Sequence, residues 1–60
     1  MTWYKVTITF KDYKELELLC EKVELDAKTN RLICHLLDYK VHKYYILLDG
    51  VILYHIEEIK

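Results

Sequence analysis

Between Lys43 and Glu57 the chain runs through two stretches dense in apolar and aromatic residues, KYYILL and VILYHIE, separated by Asp49-Gly50. Asp-Gly is among the strongest short hairpin signals, because Gly takes the positive φ of a type I′ turn. Gly50 is also the only glycine in the sixty residues. A two-residue loop predicts the register: Leu48 opposite Val51, Leu47 opposite Ile52, Ile46 opposite Leu53, Tyr45 opposite Tyr54, Tyr44 opposite His55 and Lys43 opposite Ile56. One face then carries Leu48, Val51, Ile46, Leu53, Tyr44 and His55, and the other carries Leu47, Ile52, Tyr45, Tyr54 and Ile56 with Lys43. Both are apolar. A domain of this size buries only about 60% of its unfolded surface, and an ordinary antiparallel hairpin leaves one face polar. The surplus predicts a hairpin sandwiched in a small closed barrel or covered by another chain. A homodimer with room for a protein partner is expected, associating through Tyr44, Tyr45, Ile46, Leu53 and Tyr54.

The rest of the chain also reads as strand. In WYKVTITF, residues 3–10, Tyr4, Val6, Ile8 and Phe10 alternate with Lys5, Thr7 and Thr9, the period of a half-buried strand. The next segment has two readings. As a helix over residues 12–25 it starts at an Asp12 N-cap with Glu15 three residues on, and Leu16, Leu19, Cys20 and Val23 form one stripe. As a strand it sets Leu16, Leu18 and Cys20 against Glu15, Glu17 and Glu21, slips phase near Glu21 and Lys22 as at a β-bulge, and resumes with Val23 and Leu25. The polar turn Asp26 to Asn30 and the following RLICHLL favour the strand. The expectation is a single all-β domain over residues 1–60, a small five-stranded antiparallel sheet or barrel with strands at 3–10, 15–25, 31–37, 41–48 and 51–57. The alternative is α+β, with residues 12–25 helical on a four-stranded sheet.

Charge and composition exclude several classes of function. Nine basic and ten acidic side chains leave a net charge of −1, so no bulk field draws the chain to nucleic acid or an anionic membrane. No apolar run approaches the roughly 20 residues of a membrane span. The opening MTWYKVTITFKD lacks the apolar core of a secretory signal, and a cytoplasmic protein with reduced Cys20 and Cys34 is expected. The absence of Pro, Ser and Gln, with 53% hydrophobic residues, rules out a disordered tail or linker.

Catalytic and cofactor chemistry finds little support. With one glycine the chain cannot build a phosphate-cradling loop. There is no serine nucleophile, and Cys20 and Cys34 read as small buried hydrophobes. The carboxylate pairs Glu15 and Glu17, or Glu57 and Glu58, show no cleft that would raise a pKa. In the hairpin register His42 and His55 are diagonal neighbours, the basis of a metal-binding alternative that lacks further ligands. The expectation is no enzyme, no cofactor and no metal. A second alternative is a β-barrel that stacks single-stranded nucleic acid on its tyrosines. Against it, residues 12–26 hold six acids and two bases. Glu15, Glu17, Glu21 and Glu24 are instead expected to form an acidic surface that steers a basic partner.

The order VTITFKD, then KVELDAKTNRL, then KYYILLDGVILYHIEEI resembles the pattern of many small phage and bacterial proteins that form short SH3-like or Sm-like β-barrels. The likeness covers most of the chain as hydrophobic pattern and turn placement, with Asp12-Tyr13 where many such sequences have Asp-Gly. It brings no catalytic or binding motif. Small size, missing catalytic chemistry and surplus apolar area predict a non-catalytic protein-binding module; the resemblance implies its phage type, one that binds and occludes a host enzyme of nucleic-acid handling or antiviral defence in the host cytoplasm.

Overall fold

A computed structural model describes residues 2–37 and 43–59. The chain is all-β: β1 (Trp3–Phe10), β2 (Glu15–Asp26), β3 (Arg31–Leu36), β4 (Lys43–Leu47) and β5 (Val51–Ile59), with one 3₁₀ turn at Leu48–Gly50 between the last two strands. They form a single antiparallel sheet in the order β4-β3-β2-β1-β5. The helix alternative over residues 12–25 is not formed. Leu16 and Leu18 lie opposite Ile8 and Val6 of β1, so alternation on a neighbouring strand outweighs the helical stripe.

The phase slip read near Glu21 is present. β2 pairs with β1 through residues 15–20 and with β3 through residues 20–26, and the register shifts between Cys20 and Lys22. A bulge bends its strand, and this one divides the sheet into two halves whose inner faces close on each other. One half contributes Val6, Ile8 and Leu18, the other Leu32, Cys34 and Ile46, with Cys20 at the fold line. Phe10, Leu16, Val23, Leu36, Leu48 and Val51 pack around this core.

The Asp49-Gly50 hairpin is the correction. β4 pairs with β3 and β5 with β1, so the two strands stand at opposite edges, and none of the six expected pairs from Leu48–Val51 to Lys43–Ile56 forms a ladder. Gly50 does not adopt positive φ, and the 3₁₀ turn is held from both sides. The Lys11 amide donates to the Gly50 carbonyl at 2.9 Å and the Leu48 amide to the Asn30 carbonyl at 2.9 Å. The Asn30 amide nitrogen also donates to the Asp49 carboxylate at 2.7 Å. Asp49 is therefore committed to the β2–β3 turn rather than to a hairpin of its own. In a flat sheet the two edges would stand about 19 Å apart, whereas the four residue steps from Leu47 to Val51 reach at most about 14 Å. The connection forces the sheet to curl until its edges approach at this end. The curled sheet is not closed into a barrel.

Among the described residues two tight turns need left-handed backbone, and glycine supplies neither. Asn30 has φ 54° and Tyr13 φ 67°. Asn adopts this region readily, and Tyr does so only at a cost. At the β1–β2 turn the Tyr13 amide donates to the Phe10 carbonyl at 2.8 Å and the Phe10 amide to the Lys14 carbonyl at 2.9 Å. This is a three-residue loop with its left-handed position filled by tyrosine. At the β2–β3 turn the Asp26 carboxylate accepts the Lys28 and Thr29 amides at 3.1 and 3.4 Å.

Candidate functional site

Ten large hydrophobic or aromatic side chains are exposed among the described residues: Tyr13, Leu19, Leu25, Tyr44, Tyr45, Leu47, Ile52, Leu53, Tyr54 and Ile56. Seven of them belong to β4 and β5, the two edge strands. The register explains how they come to be exposed. Tyr44 lies opposite Cys34, and Tyr54 and Ile56 opposite Ile8 and Val6, so all three share the inner face of the core. They sit at the margin where the curled sheet stays open. Tyr45 and Leu53 project from the outer face, opposite Ile33 and Thr9.

The expected interface residues are thus divided between the edges. Tyr44 and Tyr45 stand on β4, Leu53 and Tyr54 on β5. Ile46 is 6% exposed and belongs to the core, opposite Leu32, so it is not available to a partner. Leu47, Ile52 and Ile56 are exposed edge residues outside the expected set. Their signal was the apolar character of both faces, misassigned because the two strands were paired with each other. Tyr45 is also covered by the Arg31 guanidinium, 4.9 Å from the ring centre, a cation–π arrangement.

The acidic set is partly compensated on the outer face. Glu17 pairs with Lys5 at 3.4 Å, and Glu24 with Lys22 at 3.1 Å and His35 Nε2 at 3.0 Å. The His35 and Lys22 hydrogen bonds hold the Glu24 carboxyl below its ordinary value. The Asp26 carboxyl is lowered mainly by its hydrogen bond from Thr29. Glu15 and Glu21 are exposed. The surface is therefore a mixed ion-pair face with acids interspersed.

Neither cysteine pairs with His35 or His55. Cys20 and Cys34 are fully buried in the same core cluster, while His35 points outward to Glu24 and His55 lies opposite Thr7 of β1, not opposite Tyr44. Burial raises both thiols, and the neighbouring Cys20 helps push Cys34 up to about 12. No group of three His, Cys, Asp or Glu is gathered for a metal among the described residues. His42, the other half of the metal alternative, lies outside them. A shallow surface groove is lined by Phe10, Lys11, Asp12, Lys14, Glu15, Leu16 and Gly50. No helix is long and apolar enough to cross a membrane among those residues. Comparison with known proteins finds no matching family, curated protein or solved structure.

Proposed function

We propose that this chain is a non-catalytic protein-binding module that works through the free edges of its sheet. The observation that supports the reading is the concentration of exposed apolar and aromatic side chains on β4 and β5. Patches of this kind mark interaction sites, and tyrosine suits them because it covers area with few rotors and keeps a polar tip. Self-association and a further protein partner are both part of the proposal. Its narrower form is an inhibitor of phage type, occluding a host enzyme of nucleic-acid handling or antiviral defence in the host cytoplasm. That form draws on small size and on the SH3-like or Sm-like pattern resemblance alone.

Tyr45→Ala tests the reading. The side chain is 53% exposed, so the variant is expected to keep the wild-type circular dichroism and melting curve while losing a protein that wild type retains in parallel affinity capture. Equal retention by both contradicts a role for the β4 edge. Binding of a labelled oligonucleotide that weakens steeply with salt would favour the single-strand alternative instead.

A further inference from the structure

We propose that Asp49-Gly50 is a site of backbone isomerisation, aspartate to isoaspartate, and that Asn30 restrains it. The chemistry needs a carboxyl or amide side chain followed by a residue that leaves the next backbone nitrogen uncrowded. Asp49 is the one Asp or Asn of the sixty residues that glycine follows. Tyr13 follows Asp12, Ala27 follows Asp26, Arg31 follows Asn30 and Tyr39 follows Asp38, each with a Cβ beside that nitrogen. Asp49 and Gly50 are both exposed, and a Cβ built on Gly50 would meet nothing within 4 Å. Water therefore reaches the pair without any opening of the core.

The step balances with water as its only reagent. The Gly50 nitrogen attacks Cγ of the protonated Asp49 carboxyl and gives up its proton, one carboxyl oxygen leaves as water, and a five-membered succinimide ring closes. Water then opens the ring. Cleavage between the nitrogen and Cγ restores aspartate, and cleavage between the nitrogen and the main-chain carbonyl carbon gives isoaspartate, whose chain runs through Cβ and Cγ. The fold holds this reaction back in two ways. Ring closure brings the Gly50 nitrogen and the Asp49 Cβ to the same side of the Cα–C bond, a rotation that the 3₁₀ turn over Leu48–Gly50 does not have. The Asn30 side-chain amide also donates to an Asp49 carboxylate oxygen at 2.7 Å and keeps that side chain on the β2–β3 turn. The backbone on either side is tied as well, by the Leu48 amide to the Asn30 carbonyl and by the Lys11 amide to the Gly50 carbonyl. Asn30 sits at φ 54°, so the restraint needs a residue that adopts left-handed backbone and still carries a donor.

The product acts on the segment that makes the sheet curl. Isoaspartate adds one carbon to the short link between β4 and β5 and leaves its carboxylate directly on Cα, so the 3₁₀ turn and the Asn30 contact are both lost. The isomerised chain is expected to melt about 4–8 °C lower, the shift that losing one ordinary hydrogen bond gives a domain of this size.

The test incubates the folded full chain in heavy-oxygen water at physiological temperature and neutral pH, with isoaspartate located by peptide mapping and electron-transfer fragmentation. Wild type is expected to accumulate isoaspartate at Asp49 with one heavy oxygen incorporated, and Gly50→Ala severalfold less. Asn30→Gly keeps the left-handed backbone and removes the donor. It should raise the rate about three- to tenfold, the span of one ordinary hydrogen bond. In urea that unfolds both chains, wild type should react faster than when folded, and the two rates should converge. No isoaspartate above the Gly50→Ala level, its appearance chiefly at another residue, or equal rates in folded wild type and Asn30→Gly overturns the inference. Should Asn30→Gly fail to fold, folded and unfolded wild type decide between them: a folded chain that reacts as fast as the unfolded one has no restraint, and the inference falls.

Discussion

Tyr13 and Gly50 occupy each other's expected backbone. The exposed tyrosine takes the left-handed position of the first turn, and the lone glycine sits in a 3₁₀ turn that any residue can adopt. Tyr13→Gly is therefore expected to raise stability by about 1 kcal/mol, the cost of left-handed backbone for a side-chain-bearing residue less the entropy of a glycine. An unchanged or lower urea midpoint would contradict the strain. At Gly50 an added methyl would meet nothing within 4 Å. Gly50→Ala is expected to be neutral or to stabilise by about 0.4–1 kcal/mol. A type I′ hairpin would instead make the substitution destabilising, so one denaturation curve separates the two turn geometries.

At the scale of elements, most of the strands were legible in the sequence because alternation is read by a neighbouring sheet face. WYKVTITF was expected over residues 3–10 and forms β1 over that range. The phase slip near Glu21 marked the bulge because the apolar positions change there from even, Leu16, Leu18 and Cys20, to odd, Val23 and Leu25. What was not legible was which strands pair. Asp49-Gly50 is a local signal, whereas β4 and β5 are claimed by the open sides of β3 and β1, and the Asp49 carboxylate is taken by Asn30, nineteen positions upstream. The candidate site inherited that error: the apolar surplus was visible, its division between two edges was not. The β2–β3 ion pairs carry a pH dependence. Glu24 and Asp26 titrate below their ordinary values when folded, so their stabilisation is present above those values and is lost as pH falls through the folded ones. The melting temperature is expected to drop below about pH 4, and less so in Glu24→Gln. An identical acid limb in that variant would remove Glu24 from the account.

For the whole molecule, the bulge in β2 and the short link from β4 to β5 produce one small core with an open margin. That core contains two thiols, and their burial has a consequence at high pH. The Cys34 thiol, raised to about 12 in the fold, ionises near about 8.5 in the unfolded chain. Its contribution is complete below the unfolded value and disappears as pH rises through the folded one. Stability should therefore decline through that alkaline window, with a shallower slope in Cys34→Ala than in wild type. The same burial should leave both thiols unreactive toward an alkylating reagent until the chain unfolds.

The functional reading depends on β4 and β5 being opposite edges, since only then are two strands of exposed tyrosine and leucine free to be covered. Cross-strand proton contacts by nuclear magnetic resonance test that most directly, because in an antiparallel ladder facing α-protons lie close in the non-hydrogen-bonded pairs and facing amide protons in the hydrogen-bonded pairs that alternate with them. The account predicts contacts between β1 and β5 along the Val6–Ile56 and Thr7–His55 pairs, and between β3 and β4 along Cys34–Tyr44. Contacts joining Ile46 to Leu53 and Tyr45 to Tyr54 would restore the hairpin and contradict it.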